Sequence, residues 1–269
     1  MQPKAAINDF VIKFANVNGT GSASANGMFA KAIFRMGIPV SPRNIFPSNI
    51  QGLPTWYEVR ISQDGYLGRR GGIDMMVSVN PQSFAKDVGE VEPGGYMLYD
   101  STKPLDLRHV RRDIHYLGIP LTEMCLREYT DSRQRQLFKN VIYVGALSAL
   151  LNIDFAILKD LVGEQFKGKE KLITPNIHAL EMGHQHASTH FQCPLGIHLK
   201  AGEQTPKHIQ EFDQILMDGN TATALGAVYA GATVAAWYPI TPSTSVVDAF
   251  EKYCRRLRID PGTGKKNYA

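Results

Sequence analysis

The clearest feature of the N-terminal half is a change of hydrophobic period. Phe10-Val11-Ile12-Lys13-Phe14-Ala15 is an almost unbroken β-type run, and beyond a Gly/Asn turn Met28, Ala32, Ile33 and Met36 recur at helical spacing. A short apolar run followed by a 3.6-residue period predicts a strand, a loop and a helix. Further strands are expected at residues 56–61, 74–79, 96–99 and 115–119, and helices at 141–152, 155–164 and 176–189. For the last helix, Pro175 suits the first turn and Thr174 is available as a cap. Alternating elements from Asp9 to about Leu199 predict a layered α/β domain.

Ala201-Gly202-Glu203-Gln204-Thr205-Pro206-Lys207 is polar and turn-rich between two apolar regions, so we expect a domain at 1–200, a linker at 201–210 and a second domain at 211–269. The second region reads as a strand at 214–217, a helix at 221–229, a strand at 233–237, a proline-bearing loop and a helix at 243–257. Two βα units do not cover both faces of a parallel sheet. The segment therefore reads as the opening of a larger α/β domain, truncated or completed by other chains.

Composition narrows the classes. With 269 residues, 43% of them hydrophobic, the chain can bury a substantial core in one or two domains. The longest apolar stretch, 219–239, is broken by Asn220, Thr221, Thr223, Gly226, Gly231 and Thr233, so no membrane segment is expected. Residues 1–15 lack the apolar run and cleavage site of a secretory signal, which makes the cytoplasm the expected compartment. A net charge of +4 spread over mixed patches is not the basic stripe of a nucleic-acid binder. Cys125, Cys193 and Cys254 are too few and too far apart for a disulfide framework or a four-thiolate cluster, so any iron–sulfur centre must sit on a partner.

Two constellations can carry chemistry. Asn16-Val17-Asn18-Gly19-Thr20-Gly21-Ser22 lies between the first strand and helix. Small residues there let main-chain amides approach an anion, and the positive helix end adds attraction for a phosphate. Asn16 and Asn18 are residues that tolerate left-handed backbone angles. The turn lacks the lysine of a phosphate-binding P-loop, and glycine-rich βα turns also occur for structural reasons alone. In Tyr238-Pro239-Ile240-Thr241-Pro242-Ser243-Thr244, two prolines restrict the chain on both sides of Thr241 at the expected end of a strand, where open sheets bind ligands. Ser243 or Thr244 simply capping the next helix accounts for the same pattern.

Three smaller features stand beside them. His184, His186, His190 and Cys193 lie close in sequence, but no carboxylate base sits between the histidines, so an exposed polar helix face is expected and no metal site. Arg69-Arg70-Gly71-Gly72 reads as a phosphate grip or a turn with solvated arginines, and Arg60 as a ligand contact or an edge-strand charge.

The run at 238–244 resembles the signature of the pyrimidine-side domain in the α subunit of 2-oxoacid:ferredoxin oxidoreductases. Upstream, Asn16 to Gly21, Val59-Arg60-Ile61-Ser62 and the paired helices from Gly145 to Leu161 resemble the γ domain that many of these enzymes fuse ahead of α. The implied fold is a γ-type α/β domain followed by the truncated start of a pyrimidine-type α/β domain. Asn16 and Asn18 depart from the glycines usual in the γ loop, and Thr20 from its common glutamine.

The resemblance implies that Thr241 contacts the 2-oxoacid as the catalytic and substrate-binding residue, that Tyr238, Pro239 and Ile240 lie against thiamine diphosphate, and that Asn18, Gly19, Thr20, Gly21 and Ser22 help hold coenzyme A. It further implies oxidative decarboxylation of 2-oxoglutarate to an acyl-CoA in a hetero-oligomer of αβ units. Thiamine diphosphate would be shared with a β subunit that holds the magnesium and the 4Fe-4S cluster, and ferredoxin would take the electrons. The chain alone is expected to be inactive. The rival reading is a non-catalytic module that binds a nucleotide-type ligand or assembles subunits.

Overall fold

The computed structural model describes residues 2–47, 50, 52–202, 214–240 and 243–269. The chain divides into two compact units, Met1–Phe212 and Asp213–Ala269. The first is built on β1 (Ala6–Ile7), β2 (Asp9–Val17), α1 (Ser22–Arg35), β3 (Val40–Ile45), β4 (Pro54–Ser62), β5 (Ile73–Ser78), α2 (Phe84–Glu90), β6 (Val91–Asp100), β7 (His115–Ile119), α3 (Leu121–Glu128), α4 (Ser132–Leu150), α5 (Phe155–Gln165), α6 (Ile173–His190) and β8 (Ile197–His198). A six-stranded sheet runs in the order β3-β4-β2-β5-β6-β7. β4 is antiparallel to both of its neighbours, while β2, β5, β6 and β7 are parallel, so the fold is α/β with a mixed sheet.

The sheet is covered unequally because successive side chains of a strand point to opposite faces. From β2, Phe10, Ile12 and Phe14 enter the main core against α1 and α4. Val11 and Ala15 enter a smaller core on the other face with Trp56, Met76 and Val88 of α2. Lys13 is also buried on that second face, paired with Glu90 and 5.6 Å from the Trp56 ring. Such burial of an ammonium requires a partner, and Glu90 supplies it.

The ends of this unit close on each other. β1 pairs in parallel with β8. Asn8, at φ 54, donates its amide to Lys200 O at 2.8 Å and accepts from Lys200 N at 2.9 Å.

Several expected elements differ. β3 was not expected, since Pro42 breaks its pattern; as an edge strand it tolerates a missing donor. The short α2 and α3 were also missed. α4 starts at Ser132, capped by Asp131, rather than at residue 141. Thr174 does not cap α6, which begins at Ile173 without a side-chain cap and carries Pro175 inside its first turn. Arg60 is not an edge-strand charge, because β4 is internal, and its buried side chain pairs with Asp9 at 2.5 Å. Asn16 and Asn18 are not left-handed; among the described non-glycine residues only Asn8 and Asn152 have positive φ.

The second unit holds α7 (Gly219–Tyr229) and α8 (Ser243–Leu257), packed through Ala224, Val228, Phe250 and Cys254. Neither expected strand forms at 214–217 or 233–237. A strand needs a ladder to satisfy its backbone; here Ala235 N donates to Ala269 O and Ala269 N to Thr233 O, and no strand pairing forms at either segment among the described residues. Of the expected linker, residues 203–210 lie outside the described residues. No helix among the described residues is long and apolar enough to cross a membrane.

α4 and α6 cross closely, which two glycines make possible. A Cβ on Gly145 would stand 2.1 Å from Leu180 O, and one on Gly183 would stand 1.9 Å from Ile142 O. Both obstacles are backbone and cannot rotate aside. Gly183→Val is expected to destabilise the first unit by about 3 kcal/mol, the upper end for an overpacked core. A urea midpoint close to the wild type would show that this crossing is loose.

Candidate functional site

The chain after β2 turns through α1 to β3 and β4 on one side of it, whereas the chain after β5 turns through α2 to β6 on the other. The crevice between the carboxyl ends of β2 and β5 is therefore a topological switch point, the place where open α/β sheets take ligands. The Asn18–Ser22 turn lies at the end of β2, and the segment from Ser78 to Ser83 follows β5. Val79 N donates to Ala15 O at 3.2 Å and Asn80 Nδ2 to Asn16 O at 3.2 Å, tying the two together.

Within the turn, Gly19 (φ 85) and Gly21 (φ 79) take the left-handed conformations that reverse the chain. The side chains are spent on holding it. Asn18 Nδ2 donates to Ile50 O at 3.2 Å, its backbone pairs with Leu53 O and Gly52 N, and Thr20 Oγ1 donates to Val17 O at 2.8 Å. Ser22 is buried. Gly21 is the N-cap of α1, and no side chain caps that helix. The first-turn amides of α1 thus have no side-chain acceptor at the cap. A cleft of about 240 Å³ opens here between the turn and the start of β4, with Asn44 and Phe46 on its far wall.

Beneath the turn lies a buried polar cluster, two members of which, Asn16 and Asn26, also line the cleft. Asn26 Nδ2 donates to Asn16 Oδ1 at 3.0 Å, and Tyr143 Oη donates to Asn26 Oδ1 at 2.7 Å. Burial pushes the Tyr143 hydroxyl far up, so it stays a donor. Asn16, expected in the turn, is the last inward residue of the strand and faces this cluster.

Beyond β5 and β6 is a larger cavity of about 610 Å³, walled by Phe84, Tyr99, Leu105 and Lys103. Its floor is organised by Asp100, which accepts from Thr122 N and Thr102 N at 3.2 Å, from both threonine hydroxyls, and lies 3.7 Å from Lys139. Burial alone would raise the Asp100 carboxyl; the bonds from Thr122 and Thr102, with Lys139 nearby, bring it below the usual value. Asp87 does similar work behind the cavity, accepting from Trp56 Nε1 at 2.8 Å, Ser78 Oγ at 2.9 Å and Ser83 Oγ at 2.7 Å. There burial prevails over the three donors and the carboxyl is raised.

In the second unit Tyr238, Pro239 and Ile240 are exposed. Ser243 Oγ donates to Tyr238 O at 2.9 Å and Ile240 O at 2.7 Å, gathering the loop onto the start of α8. Thr241 and Pro242 lie outside the described residues. The histidines of α6 do not converge: His184 Nδ1 is 2.7 Å from Ser148 Oγ, so it is not simply an exposed polar residue, while His186 and His190 stack at 4.1 Å. Arg69 reaches Glu58 at 3.2 Å and Arg70 pairs with the buried Asp74, so neither is a solvated turn residue alone.

Asn26, Asn80, Asp100, Asn140 and Tyr143 were missed by sequence reasoning. Asn140 and Tyr143 did carry a signal, being polar groups three residues apart and so on one face of the helix.

Asp100→Ala is expected to lose about 2 kcal/mol at pH 7, the scale of hydrogen bonds to a charged group. A carboxyl lowered in the fold stabilises above its unfolded pKa and loses that contribution as pH falls through its folded one. The gap from wild type in urea unfolding should therefore close in acid; a gap independent of pH would show that the charge is not its source.

The sequence model of the family described as pyruvate ferredoxin/flavodoxin oxidoreductase matches residues 11–186. The α subunit of 2-oxoacid:ferredoxin oxidoreductase 2 from Aeropyrum pernix is 24% identical over 282 residues, covering 91% of this chain and 43% of that one. The solved 2-oxoglutarate:ferredoxin oxidoreductase from Magnetococcus marinus, with 2-oxoglutarate, coenzyme A and succinyl-CoA bound, superposes with a TM-score of 0.77 at 24% identity, over 97% of this chain and 43% of that one. The pyruvate oxidoreductase subunit PORC from Thermotoga maritima gives 0.54 at 21% identity, over 66% of this chain and 96% of that one.

Proposed function

Since the chain belongs to the pyruvate ferredoxin/flavodoxin oxidoreductase family, we propose that it serves in a 2-oxoacid:ferredoxin oxidoreductase, with 2-oxoglutarate as substrate and coenzyme A as acyl acceptor. The net reaction is oxidative decarboxylation of the 2-oxoacid to an acyl-CoA and CO2, with two electrons passing to ferredoxin. The chain spans about two fifths of the length of the relative above. In this proposal the activity needs the assembled enzyme, in which a β subunit would hold the magnesium and the 4Fe-4S cluster. Its compartment is then the cytoplasm.

The observation that carries the reading is the turn at the end of β2. Its side chains are internally bonded, its glycines are exposed, and the helix behind it is uncapped. Main-chain amides at a helix N-terminus fit the diphosphate of coenzyme A. In this assignment residues 1–200 form a γ-type domain, a division supported by the Asn8–Lys200 clasp, and residues 211–269 open a pyrimidine-type domain.

The exposed Tyr238, Pro239 and Ile240, with Ser243 bonded to the loop's carbonyls, present an apolar face that fits a heteroaromatic cofactor. Thiamine diphosphate, when bound, supplies the chemistry of carbon–carbon cleavage. This chain's part is to hold Thr241 between two prolines so that its hydroxyl donates to the 2-oxoacid.

Two measurements test the assignment. Isothermal titration of the chain with coenzyme A should give saturable one-to-one binding, and heat indistinguishable from dilution would remove the role of the turn. In the assembled enzyme, Thr241→Ala should lower coenzyme A-dependent dye reduction by 2-oxoglutarate by about 100-fold, as for loss of a donor at a developing charge. Wild-type turnover in that variant would refute the role of Thr241.

A further inference from the structure

Asn140 stands on α4, one helical turn before the Tyr143 that closes the polar cluster beneath the turn. It is buried, and both hydrogens of its amide nitrogen are used: Nδ2 donates to Gln136 O at 3.2 Å on its own helix and to Thr20 O at 2.9 Å in the glycine turn. The first bond fixes the side chain against the helix it comes from. The second reaches 120 residues along the chain to a carbonyl that no regular ladder would hold.

The Thr20–Gly21 peptide is trans, as is every described peptide bond other than Cys193–Pro194. In a planar trans peptide the carbonyl and the following N–H point in opposite directions. Holding Thr20 O toward α4 therefore turns Gly21 N–H away from α4. Gly21 has no Cβ to resist rotation of that peptide, so without a tether the unit can flip and replace a donor with a carbonyl oxygen.

Tyr143, Asn26 and Asn16 fix the frame around this unit. They lock the end of β2 to the start of α1 and to α4, so the distance the turn must span is set. Apolar side chains of the same shape would fill that space at little cost in stability. Hydrogen bonding at this place is better explained by the geometry it imposes on the turn.

We propose that Asn140 is a positioning residue, which orients the Thr20–Gly21 peptide so that Gly21 N–H joins the amides of α1 as a donor to the diphosphate of a nucleotide-type ligand. This rests on the coenzyme A assignment for the turn.

The test is titration of the whole chain with coenzyme A and with inorganic pyrophosphate, for the wild type, Asn140→Ala and Asn140→Leu, the last keeping the branched shape at Cγ while losing the donor. The amide resonance of Gly21 is followed in each. Both variants should weaken binding of both ligands by about 10-fold, the scale of one lost hydrogen bond to a charged group. The Gly21 resonance should shift on ligand addition in the wild type and fail to do so in the variants.

Where Asn140→Ala is too unstable to titrate, Asn140→Leu carries the measurement. Variants that melt lower yet bind within twofold of the wild type, with the Gly21 shift intact, would reduce Asn140 to a structural role and overturn the inference while leaving the turn's assignment standing. A wild type that binds neither ligand would bring down the assignment itself, and the inference with it.

Discussion

The polypeptide has four residues, Asn18 to Gly21, in which to leave a buried central strand and enter a helix packed on the same sheet. That reversal forces two left-handed positions, and glycine occupies both. Their lack of side chains exposes the backbone at the one end of the sheet where crossover direction changes. The open helix end, the small cleft and the reach of α4 into the turn all follow from this single constraint.

Around it the fold leaves few polar side chains free. Asp100 is saturated by two threonines, Asp87 by Trp56 and two serines, and Asn18 and Thr20 by neighbouring carbonyls. Such groups are costly to bury unless paired, so they act as internal struts. What the turn can offer a ligand is consequently its main-chain amides. Their number and direction are set by backbone shape, and they suit an anion with several oxygens better than a ligand identified by its side-chain contacts.

The two units differ in how far they are built from their own residues. The first closes its ends through β1, β8 and Asn8 and covers both sheet faces. The second has two helices with an extended segment beside them that lacks a ladder, and it exposes Tyr229, Val234, Tyr238 and Ile240.

Much of the first unit was legible because its strands are apolar runs and its helices keep a clear period: β2, β4, β5, β6, β7 and the body of α4, α5 and α6 stand where expected. β3 was hidden by Pro42, and the strands expected in the second unit failed because pattern does not supply a partner. The glycine turn could be located from its residues and the family resemblance. The sequence by itself determined that a strand would meet a helix through small residues at Asn18–Ser22, since that choice is local. Only the tertiary structure decided that Asn16, Asn26, Asn80, Asn140 and Tyr143 would gather behind it, because hydrogen bonds between residues up to 127 apart depend on how the layers pack and leave no local period in the chain.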